Sequence, residues 1–333
     1  MRHNTINFAN FVCKFGRYGN LLDYANEIVI PAFLDVYEAR VHGDTSYYFI
    51  ETELEVIDFE TGPAVSITGR FVKRTILRRT QVLHPGLGLH QDEDSMETAP
   101  SSFFILRLDI HRLIIFGETP DAPDARAFAL ASGASIRRKY NDFIDTQHDI
   151  INLTSKGRVT KKSLRETHQP PSVVAVPLTT ASTVYDFVGR YSVLQKIEFK
   201  LVRPNHELDG KEMWQAIRGT SENLGANSTT IEHRNSDGLD KDAAAKEIAD
   251  ASATGNQIID LSGIDDQGNK LKGNNETYQL SVPLEGVPEN RLGLIEKLRA
   301  IFDRLVKSGE IRFDQNAVEG NSDKINIVIK KYL

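Results

Sequence analysis

Ser46 to Ile57 (SYYFIETELEVI) alternates aromatic or aliphatic side chains with polar ones, and Ala64 to Phe71 does the same after the turn-forming Glu60-Thr61-Gly62-Pro63. A period of two belongs to strands with one face buried, so the pair commits this part of the chain to a β-hairpin. Phe103 to Leu108 and Arg112 to Phe116 flank Asp109-Ile110-His111 and predict a second hairpin. Met96 to Ser102 breaks the pattern, and Asp92 to Glu97 reads as an acidic loop between the two pairs.

Helical signals follow. Asp121 to Ile144 starts near Pro123 and places Ala127, Leu130, Ile136, Tyr140 and Phe143 at roughly helical spacing. Lys156 to Pro171 is polar and basic and reads as a loop. Beyond it, Ser172 to Leu178, Ser192 to Arg203, Ile258 to Ile264, Glu276 to Val282 and Lys324 to Lys331 read as strands, whereas Glu207 to Asn223, Lys241 to Ala253 and Pro288 to Lys307 read as helices. Strands and helices in this order, without a regular βαβ repeat, predict an α+β fold of mixed or antiparallel sheets with packed helices. The 333 residues exceed the roughly 250 to 300 at which single cores stop growing. Two parts are therefore expected: residues 1–155 with a basic hairpin, a basic polar linker at 156–171, and residues 172–333.

A hydrophobic fraction of 40% with 26% charged residues is that of a soluble globular protein. The single cysteine, Cys13, excludes an internal disulfide and a zinc site built on several thiolates, which favours a reducing cytoplasm. No signal peptide and no membrane span is read from the sequence, so direct insertion into a membrane is not expected.

Charge supplies the main functional signal. Thr68 to Leu83 holds Arg70, Lys73, Arg74, Arg78 and Arg79 and no acidic side chain, in a chain whose formal net charge is -6. Arg70, Arg74 and Arg78 recur at every fourth residue and so share a face. Guanidinium groups donate paired hydrogen bonds to phosphate oxygens and release counterions on binding, so this line suits double-stranded DNA. Lys156, Arg158, Lys161, Lys162 and Arg165 form a second basic set able to clamp the duplex. Arg137, Arg138 and Lys139 are weaker candidates, since Asp142 and Asp145 lie within pairing reach on the same helix. A solvated charged face is the competing explanation for all of them.

The run Pro100-Ser101-Ser102-Phe103-Phe104, then Phe116-Gly117-Glu118-Thr119-Pro120, then Val176-Pro177-Leu178-Thr179-Thr180 with Val188-Gly189-Arg190 and Ile197-Glu198-Phe199-Lys200-Leu201, resembles the layout of the RexA-like phage-exclusion family. Asp266-Gln267-Gly268-Asn269 followed by Leu280-Ser281-Val282-Pro283-Leu284 continues the same order. These proteins are similar to the KwaB component of the Kiwa defence system. The resemblance covers Pro100 to Lys307 and implies recognition of DNA or a DNA–protein complex in phage defence; together with the charge pattern it leads to the expectation of a non-enzymatic double-stranded DNA-binding sensor or effector, with a membrane protein of the defence system as a further partner.

Two other readings stand beside it. Glu198 and Lys200 share a strand face with Asp186 upstream, the skeleton of a magnesium-dependent nuclease in which the carboxylates hold the metal and Lys stabilises developing charge. The alternative is a polar strand face in solvent. A protein-interaction adaptor without a nucleic acid partner is the other. His84, His90 and Asp92 are too few ligands for a secure metal site, and His148-Asp149 lacks the companions of a phosphohydrolase dyad. Cys13 has no partner base, and Gly86-Leu-Gly88 lacks the third glycine of a dinucleotide loop. No metal or cofactor is expected apart from magnesium under the nuclease reading. Leu292, Ile295, Leu298, Phe302 and Leu305 form an apolar stripe along the last long helix, whose default role is packing and whose sharper reading is a homodimer seam.

Overall fold

The computed structural model describes residues 4–17, 19–154, 158–202, 212–252, 254–313 and 315–333. Its strands are β1 (Thr5–Phe15), β2 (Gly19–Asn20), β3 (Glu38–His42), β4 (Thr45–Phe59), β5 (Gly62–His84), β6 (Gly88–Thr98), β7 (Ser101–Arg107), β8 (Arg112–Gly117), β9 (Pro171–Pro177), β10 (Tyr191–Leu201), β11 (Thr230–Arg234), β12 (Gln257–Asp265), β13 (Lys270–Asn274) and β14 (Ser281–Pro283). Its helices are α1 (Ile30–Leu34), α2 (Ala125–Thr154), α3 (Lys161–Thr167), α4 (Ala181–Gly189), α5 (Glu212–Asn223), α6 (Lys241–Ser252), α7 (Arg291–Lys307) and α8 (Gln315–Tyr332). The chain is an α+β protein with two antiparallel sheets.

The large sheet runs β14-β1-β8-β7-β5-β4-β3, with β9 also paired to β1 and β6 to β5. Helices cover both of its faces. Phe104, Leu106 and Phe71 pack on one side with Phe33 of α1 and Phe128 of α2, while Phe103, Ile105 and Ile114 pack on the other with Leu298 and Phe302 of α7. Burial on both faces explains why β7 and β8 read as continuous apolar runs (FFIL, LIIF) rather than alternating ones. Both predicted hairpins form, β4 with β5 and β7 with β8.

The small sheet, ordered β11-β10-β12-β13, packs its helices on one face. Ile197, Phe199, Ile259 and Leu261 pack there with Val184 and Phe187 of α4, Trp214 of α5 and Ile248 of α6. The opposite face carries the alternate residues and is polar. A buried junction ties this unit to β1: Asn10 donates to the Gly255 carbonyl at 3.2 Å and to Asn256 Oδ1 at 3.0 Å, and Arg112 donates to Asn10 Oδ1 at 2.9 Å. Gly255 has a φ of +69°, and a Cβ there would meet Asn10 Cβ at 2.8 Å, so only glycine fits.

Several elements differ from expectation. Asp92 to Glu97 is not a loop but lies within β6, the strand hydrogen-bonded to the basic second half of β5. The N-terminal residues form β1, an interior strand of the large sheet with ten of its eleven residues buried. Residues 324–331, expected as a strand, lie in α8, whose Val328 is buried in the first core. Part of the expected linker is the helix α3. The expected division into 1–155 and 172–333 also differs from the sheets: β9 and β14 pair with β1, and α7 covers the large sheet, so the chain enters the small unit after β9 and returns. Among the described residues no helix is long and apolar enough to cross a membrane.

Candidate functional site

The basic ladder lies on β5, and cross-strand neighbours supply it with acids. Arg70 donates to Glu51 and, at 2.9 Å, to Glu118; Arg74 donates to Glu97; Arg78 reaches Asp44 at 2.6 Å; Arg79 reaches Asp92 at 2.6 Å and Asp94 at 3.5 Å. The hydrogen bond and charge of Glu97 push the Arg74 guanidinium up, and the same contact holds the Glu97 carboxyl below the usual range. The line of unopposed positive charge expected from Thr68 to Leu83 is therefore a set of ion pairs. Lys73 is half-buried on the same strand.

In the second basic set, Lys161 pairs with Asp145 of α2 at 2.8 Å. Arg158, Lys162 and Arg165 are exposed on and beside α3, and Lys156 lies outside the described residues. Arg138 donates to the Glu38 carbonyl, and Lys139 pairs with Asp35 at 3.1 Å.

The nuclease skeleton is rearranged. Asp186 is exposed on α4, which packs on the apolar face of β10, whereas Glu198 and Lys200 point from the opposite face. The three do not meet. In the antiparallel pairing of β10 with β12, Asp260 lies directly across from Glu198, whose other neighbour is Glu232 of β11. Side chains at such positions are close enough to interact.

Around this pair the polar face forms a cleft of about 430 Å³ lined by Lys196, Glu198, Asp260, Ser262, Lys272 and Asn274. A second lobe of about 310 Å³ shares Asp260 and Asn274 and extends to Arg126, Ile258 and Glu276 beneath β9. Volumes of this size suit small ligands or a segment of a polymer. Lys196 bridges two carboxylates, Glu198 at 2.6 Å and Glu232 at 2.7 Å, which pushes its ammonium up and holds the Glu232 carboxyl down. Partial burial raises the Asp260 carboxyl, and the charge of Glu198 adds to the effect while Lys196 and Lys200 oppose it. Glu276 is raised by partial burial as well, with Asp124 and Asp260 contributing and Arg126 opposing. Two carboxyls raised above their ordinary range, Asp260 beside lysines and Glu276 beside Arg126, form the arrangement expected where charge is managed for a ligand or a reaction.

The remaining sequence candidates separate. His84 and His90 stack edge to face at 5.5 Å near the end of the β5–β6 hairpin, but Asp92 is taken by Arg79. Among the described residues no group of three or more His, Cys, Asp or Glu is placed to hold a metal. His148 and Asp149 hydrogen-bond at 3.0 Å on α2. Cys13 is fully buried, and burial pushes its thiol up to about 12. Ile295, Leu298, Phe302 and Leu305 of the expected dimer seam are buried against the large sheet, leaving only Leu292 exposed. That stripe is core, because the second face of a two-sided sheet needs a cover. Asp260, Glu276 and Lys272 were missed by sequence reading, although Asp260 interrupts an apolar run (IIDL) and could have been noticed for that.

No protein-family model matches this chain. No curated protein matches it significantly.

Proposed function

We propose that the protein acts on nucleic acid at the cleft of the small sheet, as a magnesium-dependent nuclease in which Glu198 and Asp260 hold the cation and Lys200 faces the phosphate. The observation that carries this reading is the side-by-side placement of Glu198 and Asp260 on β10 and β12, with Lys200 two residues along the same polar face. Two carboxylates are fewer than a metal cage needs, but magnesium is commonly held by one or two carboxylates together with water and substrate phosphates. The residues thus fit a site completed by its substrate. Bound there, magnesium would polarise a phosphoryl oxygen and acidify a water. Lys196 fixes Glu198 from the side, and a cation between Glu198 and Asp260 would relieve the repulsion that Glu198 adds to partial burial in raising the Asp260 carboxyl.

The resemblance to RexA-like and KwaB proteins supports a nucleic acid partner and a place in anti-phage defence. Non-enzymatic binding of duplex DNA along the arginine ladder has less support, since each of those arginines already faces a carboxylate. The adaptor reading is favoured by one observation, the exposed apolar side chains of the β5–β6 hairpin.

Incubating labelled duplex and single-stranded DNA with the protein, in magnesium and in chelator, separates these readings. Magnesium-dependent cleavage that Glu198→Gln abolishes and Asp186→Asn leaves intact is the expected result. Intact DNA with salt-dependent binding would replace the nuclease by a non-enzymatic binder, and absence of binding at low salt would leave the adaptor.

A further inference from the structure

Beyond Thr75 the strands β5 and β6 leave the large sheet and pair only with each other, forming a two-stranded arm. One face of the arm carries Leu77 opposite Met96, then Arg79 opposite Asp94, then Gln81 opposite Gln91, then Leu83 opposite Leu89. Among the described residues nothing covers the apolar members: Leu77 is 50%, Met96 62%, Leu83 68% and Leu89 69% exposed. Along the arm this face reads apolar, polar, apolar. Such a pattern is its own complement under a two-fold axis through the polar middle, the symmetry of most homodimers.

We propose that the arm is a self-association element in which two copies of this chain pack arm on arm, face to face and antiparallel. Leu83 and Leu89 of each copy then cover Leu77 and Met96 of the other. In the centre, that register sets Arg79 and Asp94 of one copy over Gln81 and Gln91 of its mate, whose amides can hydrogen-bond to both charges. The opposite face of the arm is less available, because Arg78 on it is held by Asp44 of the β3–β4 turn at 2.6 Å. Edge-to-edge union through β6 is opposed by charge: an antiparallel pairing there would set Asp92, Glu93 and Asp94 against their own copies.

The size of the face sets the expected strength. Eleven residues of β6 at about 3.3 Å each, across two strands, give roughly 350 Å² per copy, less than half the ~800 Å² per partner of a stable complex. The dimer should therefore be weak and reversible, with a dissociation constant on the order of tens of micromolar or higher.

Sedimentation equilibrium of the full chain from about 5 to about 500 µM tests it over the range such an interface requires. A reversible monomer–dimer equilibrium is expected, weakened at least about tenfold in the Leu83→Lys, Leu89→Lys variant, whose circular dichroism should match the parent because both sites are exposed. A mixture of Leu83→Cys and Met96→Cys proteins should cross-link with a short bis-maleimide faster than either alone, against a silent background because Cys13 is buried. A monomer at every concentration, or a dimer indifferent to the two lysines, would overturn the proposal.

Discussion

The carboxyl of Asp260 sits beside Glu198 in a cleft that removes part of its water, and both influences favour its protonated form. Since its native pKa is raised above the unfolded value, the folded protein binds this proton more tightly than the unfolded chain. The stabilisation is full below the ordinary carboxylate range and is lost as pH rises through the raised native value. Asp260→Asn should then match the parent in acid and exceed its thermal midpoint at neutral pH, by no more than about 2 °C because solvent reaches the group. A lower midpoint at neutral pH, followed by calorimetry, would contradict the electrostatic account. The same residue shows where sequence reading stopped: that Glu198 and Lys200 share a strand face was legible from their spacing, but the carboxylate beside Glu198 stands across a strand pairing, 62 positions away in sequence. The acids around the arginine ladder escaped sequence reading for the same reason. The acids that meet Arg70 come from 19 and 48 positions away, so a local absence of acids says little about charge in a sheet.

At the scale of elements, α7 was legible as an amphipathic helix ending at Lys307, and it does end there, with Gly309 in the left-handed region beyond it. What it packs against was not, because an apolar stripe has the same pattern whether it meets another copy or its own sheet. Its burial gives a sharp contrast between neighbours on the stripe. Phe302→Ala should cost about 3–5 kcal/mol and Leu298→Ala about 2–5 kcal/mol, whereas Leu292→Ala should stay within about 0.5 kcal/mol. Urea unfolding measures all three, and equal small losses would restore the stripe to a surface role. The acidic stretch of β6 and the helix α8 were misread from composition: acidic residues on a two-stranded arm need no apolar partner, and the alternating apolar residues near the C-terminus fit a helix stripe as well as a strand.

For the whole molecule, the fold class was readable because two hairpins and several helices announced themselves, but the grouping of elements was not. β1 unites the ends of the chain, pairing with β8, β9 and β14, and no local pattern can reveal pairings of that range. The outcome is a large sheet buried on both faces, which spends its apolar residues on stability, and a small sheet whose face away from its helices is free to carry polar chemistry. The proposed function rests on that second sheet, where Glu198 and Asp260 stand side by side. The most direct test compares the parent, Asp260→Asn and the Arg74→Glu, Arg78→Glu variant in one assay of magnesium-dependent cleavage of duplex DNA. Loss of rate by about 100-fold or more in Asp260→Asn, with the arginine variant close to the parent, is the predicted result. Cleavage that survives Asp260→Asn but fails in the arginine variant would contradict the assignment and return function to the ladder.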